Sequence, residues 1–367
     1  MALKVLIVPD KFKGTLTAAE AADAIARGWH AARPDDALEL LPMSDGGDGF
    51  GAVMSELLGA KPHMVKTVDA AGRACRARWW WEAKSATAII ESANVIGLAQ
   101  LPAKKFHPFE LDTFGLGAVI RAAAKRGAKR CLIGIGGSAT NDGGFGVARA
   151  LGWKFLNADE NEIVCWTQLD QLKKVIPPKR SRWFNELIVA VDVQNLLLGA
   201  RGCSRIYGPQ KGLRPRDFAR AEKCLRQLAL VTTREKNHLW KGGEPGDGAA
   251  GGLGFGLRNF LGAKLAPGFE LFAKHAELSR KLRTADLVIT GEGSIDRSSM
   301  MGKGVGELVL RCARAKVPCV GLAGMASQTK GFAVVRGLTE LTSPTQAKAK
   351  PAHWLSRLSE EVVSAWK

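Results

Sequence analysis

The 367-residue sequence predicts an α/β protein in which strands of a parallel sheet alternate with helices. Near the N-terminus, strand patterns at residues 4–9 and 37–42 are each followed by a loop and a helical pattern. The alternation returns near the C-terminus, where strand patterns at 286–290 and 317–322 flank a helical pattern. Strands that are joined through helices form parallel sheets, and such sheets bind ligands at the carboxyl ends of their strands.

The first helix carries its own start signal. Thr17 stands three residues before Glu20, which is the spacing of a capping box, in which each side chain bonds the other residue's backbone N–H. Apolar residues at helical spacing continue to Ala32, so we predict a helix over residues 18–32.

A change of pattern in the middle of the chain predicts an inserted domain. Residues 65–68, 75–81 and 87–90 form consecutive strand patterns without intervening helices. We therefore predict two α/β domains: a discontinuous Rossmann- or flavodoxin-like parallel-sheet domain, with a second, mixed α/β domain inserted into it. The predicted boundaries assign residues 1–70 and 286–367 to the first domain and residues 71–285 to the second.

Composition narrows the class of protein. The seven cysteines form no CxxC pair, the histidines are scattered, and no apolar run approaches the length of about 20 residues that a membrane span needs. With no signal-peptide pattern at the start, the sequence favours a cytoplasmic protein with reduced thiols. The net charge of +18 is dispersed, which fits small anionic ligands or a basic surface better than nucleic acid.

Two glycine-rich stretches predict contacts to an anion. The strand pattern that starts at Cys131 ends in glycine, small polar residues follow, and a helical pattern resumes at Phe145. Glycine allows backbone N–H groups to approach a phosphate, and polar side chains add donors. The residues that offer this chemistry are Gly136, Gly137, Ser138, Thr140 and Asn141, together with Gly251 and Gly252 in the second stretch. A ligand-free connection of tight turns remains the alternative.

Two similar motifs fit less well. Residues 134–139 match a dinucleotide fingerprint, but they do not follow the first strand, and no strand pattern carries the acid expected after them. Gly302 and Lys303 suggest a P-loop, but Gly304 stands where Ser or Thr is required.

Acids and cations recur at the predicted strand ends. Asp192 follows the strand pattern at 187–191, and an acid there could accept a hydroxyl proton during phosphoryl transfer while nearby cations neutralise the phosphate. Carboxylates around glycines at 44–49 suit Mg²⁺ or hydroxyl groups. The other candidates are Asp10, Lys13, Asp45, Asp48, Lys211, Asp296 and Lys303. Solvated surface charges are the alternative for each of them.

Taken together, these blocks resemble the bacterial glycerate kinases that make 2-phosphoglycerate. The resemblance runs along almost the whole chain and rests on residues 9–14, 44–49, 136–144, 192–195, 207–212, 248–254 and 290–303. It implies the conversion of ATP and D-glycerate to ADP and 2-phosphoglycerate with Mg²⁺. It also implies two α/β domains with the site in the cleft between them.

The resemblance gives the candidates expected roles. Asp192, Lys13 and Lys211 are the expected catalytic residues, and Asp10, Asp45, Asp48, Asp296 and Lys303 are expected to bind glycerate. The two glycine-rich stretches are expected to cradle the ATP phosphates, with Asp45 and Asp48 as Mg²⁺ ligands. Glycerate and ATP are the expected partners, no membrane or nucleic acid is expected, and a homodimer is left open.

The chain departs from the family pattern at a few positions. They are Leu116, Leu196, Ser294, Ser298, Ser299 and Val305, and most of them are on the expected substrate side. Two alternatives therefore stay open: a kinase of another small hydroxy acid, and a non-catalytic ligand-binding relative.

Overall fold

The computed structural model describes residues 2–234, 243–297, 299, 304–327 and 330–365. The strands in these ranges are β1 Lys4–Ile7, β2 Ala37–Leu40, β3 Lys61–Val68, β4 Ala74–Glu82, β5 Thr87–Glu91, β6 Arg130–Gly134, β7 Lys154–Leu156, β8 Lys174–Ile176, β9 Glu186–Val191, β10 Lys264–Pro267, β11 Leu287–Ile295, β12 Cys319–Ala326 and β13 Val334–Gly337. The helices are α1 Ala18–Ala32, α2 Phe50–Leu58, α3 Ala93–Ile96, α4 Leu116–Lys125, α5 Phe145–Ala150, α6 Cys203–Ile206, α7 Gly208–Lys211, α8 Pro215–Arg234, α9 Ala249–Leu261, α10 Gly268–His275, α11 Leu278–Leu282, α12 Gly304–Ala315, α13 Pro344–Ala349 and α14 Pro351–Ala365.

The chain divides into two compact units, the first of which is discontinuous. The first unit consists of Met1–Asp45 and Phe269–Lys367, and the second is the continuous segment Gly46–Gly268. The prediction of a discontinuous α/β domain with a second one inserted is confirmed.

In the first unit, five parallel strands form one sheet in the order β13-β12-β11-β1-β2. Residues from both ends of the chain meet in it, since Val5 is paired with Leu287. The predicted capping box begins α1: Glu20 N–H donates to Thr17 Oγ1 at 3.2 Å, and Thr17 N–H donates to Glu20 Oε2 at 2.8 Å. Helix α14 packs along α1, and the Ser359 hydroxyl donates to the Ile25 carbonyl.

In the second unit, six strands form a mixed sheet in the order β10-β9-β6-β5-β4-β3. The strands β5, β6, β9 and β10 are parallel, whereas β3, β4 and β5 are joined as antiparallel neighbours. This arrangement corrects the predicted boundary near residue 70. Strand β3 pairs with β4 along its whole length, from Lys61 to Val68, so it belongs to the inserted unit.

Each unit has its own hydrophobic core. Trp29 and Phe12 are fully buried in the first unit, and the four phenylalanines Phe145, Phe155, Phe255 and Phe260 are fully buried in the second. Phe155 and Phe260 meet edge to face with 5.6 Å between the ring centroids, as aromatic pairs prefer.

All seven cysteines are free thiols, as predicted, and five of them are buried. Among the described helices, none combines the length and the apolar character required to span a bilayer.

Candidate functional site

In the first unit, the predicted acids gather at the carboxyl end of the sheet. Asp10 comes after β1, and its N–H donates to the carbonyl of Gly291 on β11 at 2.8 Å. The residues after β2 follow the same edge, because Met43 N–H donates to the carbonyl of Pro9 at 2.9 Å. Asp10 thereby comes close to Asp45 and to Glu292. Glu292 was not among the candidate residues predicted from the sequence.

The surroundings of Asp10 favour its neutral form. Burial raises the pKa of Asp10 to about 8, and the negative charges of Asp45 and Glu292 act in the same direction. The N–H of Lys11 donates to Asp10 Oδ1 at 2.7 Å and partly offsets these effects. In its protonated form, Asp10 can donate a hydrogen bond to a ligand.

Two further candidates lie on the same unit. Lys13 is exposed in the turn after β1, and its backbone nitrogen would be 3.3 Å from a Cβ added at Gly293. Asp296 follows β11, where its N–H donates to Ser299 Oγ and its carboxylate accepts from Ser294 Oγ. Lys303 lies outside the described residues.

In the second unit, Gly46 of the predicted acidic loop rests on the carboxyl edge of the sheet. Gly136 N–H donates to the carbonyl of Gly46 at 3.1 Å, and a Cβ added at Gly46 would be 3.0 Å from the Ala190 methyl carbon. Asp48 is exposed, yet one of its carboxylate oxygens would be only 1.8 Å from a Cβ added at Gly137. The structure therefore brings Asp48 against the glycine-rich stretch, where a Cβ at residue 137 would displace the end of this side chain.

Glu91, which the sequence analysis did not single out, holds this loop. Its carboxylate accepts hydrogen bonds from the N–H groups of Gly49 and Gly51, both at 2.9 Å. These two groups flank the start of α2, and Glu91 is the last residue of β5. An acid that directly follows a run of buried strand residues was the available signal.

The side chains predicted to contact phosphate are engaged within the protein. Ser138 Oγ lies 2.9 Å from Thr140 Oγ1, and Asn141 Nδ2 donates to Ser204 Oγ at 2.9 Å. All three predicted residues are buried, whereas Gly137 is exposed. The polar side chains thus shape the loop, and exposed backbone is what it presents to solvent.

Lys211 is also an internal residue. Its ammonium donates to the carbonyl of Thr140 at 2.7 Å, and burial lowers its pKa to about 8. The observed contact of this predicted catalytic cation is with the glycine-rich loop.

Asp142 is a second acid that the sequence analysis passed over. Its carboxylate accepts from the N–H and hydroxyl of Thr113 and from the N–H of Gly146 at 2.8 to 2.9 Å, and from Gly144 N–H at 3.2 Å. One of these donors, Gly146, is in the first turn of α5, so the negative charge of Asp142 stabilises the start of that helix. An acid just before glycines and a helical pattern was the signal.

The two glycine-rich stretches interlock. Residues 250–252 have left-handed backbone angles, with φ of 55°, 71° and 88°. Gly143 N–H donates to the carbonyl of Gly251, and a Cβ added at Gly251 would be 2.0 Å from the Thr140 carbonyl oxygen. Close backbone contact between the stretches therefore requires glycine there.

Asp192 follows β9, the neighbour of β6, and therefore stands at the same sheet edge as the glycine-rich loop. Tyr207 is close to it: burial raises the pKa of Tyr207 to about 12, and the charge of Asp192 contributes. The Tyr207 hydroxyl donates to Asn195 Oδ1 at 2.5 Å, which ties the residues after Asp192 to the start of α7.

The donor set bears on the expected Mg²⁺. Among the described residues, no group of three or more His, Cys, Asp or Glu side chains is arranged to hold a metal ion. Mg²⁺ in kinases is commonly held by one or two carboxylates together with substrate phosphates, and an exposed acid such as Asp48 fits that mode.

Comparison with known proteins gives one consistent result. The model of the glycerate kinase family matches residues 5–367. The glycerate 2-kinase of Escherichia coli is 36% identical over 348 residues, which cover 93% of this chain and 90% of that protein. The glycerate kinase of Halalkalibacterium halodurans is 35% identical over 329 residues, covering 88% and 86%.

A solved structure agrees. A protein from Salmonella typhimurium LT2, provisionally described as glycerate kinase 2, superimposes with a TM-score of 0.83 at 32% identity, and the match covers 100% of this chain and 98% of that one. The resemblance inferred from the sequence is confirmed, and the chain belongs to the glycerate kinase family.

Proposed function

We propose that this protein is a glycerate 2-kinase, which transfers the γ-phosphoryl group of ATP to the 2-hydroxyl of D-glycerate. The observation that carries the proposal is Asp192 at the sheet edge of two interlocked glycine-rich loops, in a chain of this family. Phosphoryl transfer needs positioning and charge neutralisation more than covalent chemistry, and such a set of groups supplies both.

In the proposed reaction, the second unit binds ATP and holds the base. The loops at 136–144 and 251–252 cradle the phosphates, and buried Lys211 keeps the first of them in shape. Asp192 takes the proton of the 2-hydroxyl while the new O–P bond forms and the bond between the γ-phosphorus and ADP breaks. Asp48 or Asp45 would hold Mg²⁺ together with the phosphates, and the ion would supply positive charge that neutralises the transferred group.

The first unit binds glycerate in this proposal. Protonated Asp10 donates a hydrogen bond to an oxygen of glycerate. The carboxylates of Asp45 and Asp296 accept hydrogen bonds from the hydroxyl groups of glycerate. Lys13 is exposed and offers a positive charge to the substrate carboxylate or the phosphate. Lys303 keeps its sequence-based role as a further cation of this set.

A kinase of another small hydroxy acid is the second candidate. Ser294, one of the departures from the family pattern, lies beside Asp296 and hydrogen-bonds to it. A change of residue next to a proposed substrate contact favours a change of acceptor over a change of reaction.

The test measures ADP release with D-glycerate, tartronate and related acids, followed by NMR of the phosphorylated product. We expect the highest kcat/KM with D-glycerate and a phosphorus resonance coupled to the proton on C2. Phosphorylation at the 3-hydroxyl would contradict the proposed regiochemistry, and absence of ADP release with every acid would contradict kinase activity.

A further inference from the structure

We infer that Glu91 is a positioning residue for phosphoryl transfer, acting through Asp48. The inference rests on the proposed function, because it concerns the same reaction. Glu91 itself is buried, with an exposed fraction of 7%, so it has little access to a bound substrate.

The contacts of Glu91 fix the loop that carries Asp48. Its two carboxylate oxygens each accept one backbone N–H, from Gly49 and from Gly51. Gly49 has a φ of 91°, in the left-handed region, and directly follows Asp48. The Glu91 carboxylate therefore holds the N–H groups before and after Phe50, the first residue of α2. These two hydrogen bonds fix the direction of the backbone that follows Asp48.

This carboxylate also occupies the place that an anionic ligand would take. The first N–H groups of a helix attract phosphate, and the N-terminus of α2 offers two of them to Glu91 instead. The loop therefore cannot use these groups for ATP, and what it presents is the exposed carboxylate of Asp48 against Gly137.

Substituting glutamine should disturb this arrangement without removing the side chain. Glu91→Gln keeps one acceptor oxygen, but its NH₂ group then faces the second backbone N–H. An NH₂ group cannot accept a hydrogen bond, so that N–H loses its partner. The loop must then shift, and a displacement of about 1 Å in a catalytic group costs on the order of 10²-fold in rate. We expect kcat/KM for glycerate to fall by about that factor.

A double-mutant cycle with Asp48→Asn distinguishes positioning from a general structural effect. Because Glu91 acts through Asp48, E91Q should change kcat/KM by less than about threefold in the D48N background. Equal losses in both backgrounds would overturn the inference, as would a D48N variant that turns over like the wild type.

The matched control is Glu82→Gln. Glu82 also accepts hydrogen bonds from two backbone N–H groups, those of Lys84 at 2.6 Å and Ser85 at 2.7 Å. It pairs with the first residue of β5, whereas Glu91 is the last residue of β5, so the two acids lie at opposite ends of this strand. E82Q should leave kcat/KM within about twofold of the wild type. If E91Q does not fold, Glu91→Asp, which retains the charge but reaches fewer of the N–H groups, is taken through the same cycle.

Wild-type turnover separates the two proposals. If the wild type releases no ADP with glycerate, the proposed function fails; if it turns over and the losses in the cycle are additive, only the role of Glu91 fails.

Discussion

Asp10 follows a buried strand, in the company of Asp45 and Glu292, and its environment favours the protonated carboxyl group. This has a measurable consequence for stability. The pKa is about 8 in the folded protein and about 3.8 in the unfolded chain, so between these pH values the folded state binds more protons. The stabilisation due to Asp10 is therefore complete below about pH 4 and is lost as pH rises through 8.

We predict that Asp10→Asn removes this pH dependence. The amide is neutral at every pH, so the melting temperature of the wild type relative to D10N should decrease from pH 5 to pH 8.5. Thermal melts of both proteins at several pH values measure the difference, with Asp35→Asn as a control at an exposed acid. A constant difference across this range would show that Asp10 titrates as an ordinary carboxylate.

Asp192 is the residue on which the proposed chemistry depends. We predict that Asp192→Asn lowers kcat by about 10² to 10⁴, the usual range for a general acid or base, because the amide cannot accept the hydroxyl proton. Steady-state ADP release measures the loss, and the melting temperature should stay close to that of the wild type. Asp159→Asn, at an exposed acid of the same unit, serves as the control. Near-normal turnover by D192N would remove Asp192 from the role of base.

At the scale of loops and helices, two helix N-termini are occupied by the protein's own acids. Glu91 binds N–H groups at the start of α2, and Asp142 binds those at the start of α5. A helix start without an acid would add positive character to the proposed phosphate site, but Asp142 takes up that position at α5. In the proposed ATP site, phosphate binding must therefore depend on other groups of the loop, of which the exposed backbone of Gly137 is the clearest.

Gly137 allows a direct test of that loop, since a second glycine has the same left-handed φ angle. Gly137 and Gly72 both have a φ of 74°, but a Cβ at Gly137 would be 1.8 Å from Asp48 Oδ1, while nothing lies within 4 Å of one at Gly72. We predict that Gly137→Ala and Gly72→Ala each destabilise the protein by about 1 to 2 kcal/mol through left-handed strain.

Only G137A should also reduce activity, because it alone displaces Asp48. We expect kcat/KM to fall at least tenfold in G137A and to stay within about twofold of the wild type in G72A. Denaturant unfolding and ADP release measure the two quantities. Equal activities in the two variants would mean that the position of Asp48 has no catalytic importance.

At the scale of the whole molecule, the two hydrophobic cores are separate. Among the described residues, one core contains only residues of 46–268, and the other only residues of the two terminal segments. The second unit is one continuous piece of chain, so its core can form without a contribution from the rest.

We therefore predict that a fragment of residues 46–268 folds by itself. It contains both glycine-rich loops and Asp192, so it should melt cooperatively and bind ADP with an affinity within about tenfold of the full chain, while lacking glycerate turnover. Circular dichroism and titration calorimetry measure these properties, with the full chain as the reference. A fragment without a melting transition would show that its core depends on the terminal segments.

Local patterns in the sequence were sufficient to predict the alternating elements, the capping box at Thr17 and the insertion of one α/β domain into another. They were also sufficient to place the glycine-rich loop at 136–144 and Asp192 after strands, because such features depend on neighbours a few residues apart. Strands β10 and β13 were missed because their sequences, KLAP and VVRG, end in proline and glycine, which are unfavourable inside strands.

The tertiary structure decided which side chains face a ligand and which support the loops. Four polar residues are of types that often contact ligands, yet their side chains form hydrogen bonds within the protein: Ser138, Thr140, Asn141 and Lys211. Glu91 lies more than forty residues from the loop that it holds, and β3 belongs to the inserted unit because of its pairing with β4. Burial and hydrogen bonding between residues far apart in sequence depend on how the strands and loops pack together. The sequence alone therefore determined the kind of site, and the tertiary structure determined which side chains face a ligand and which support the loops.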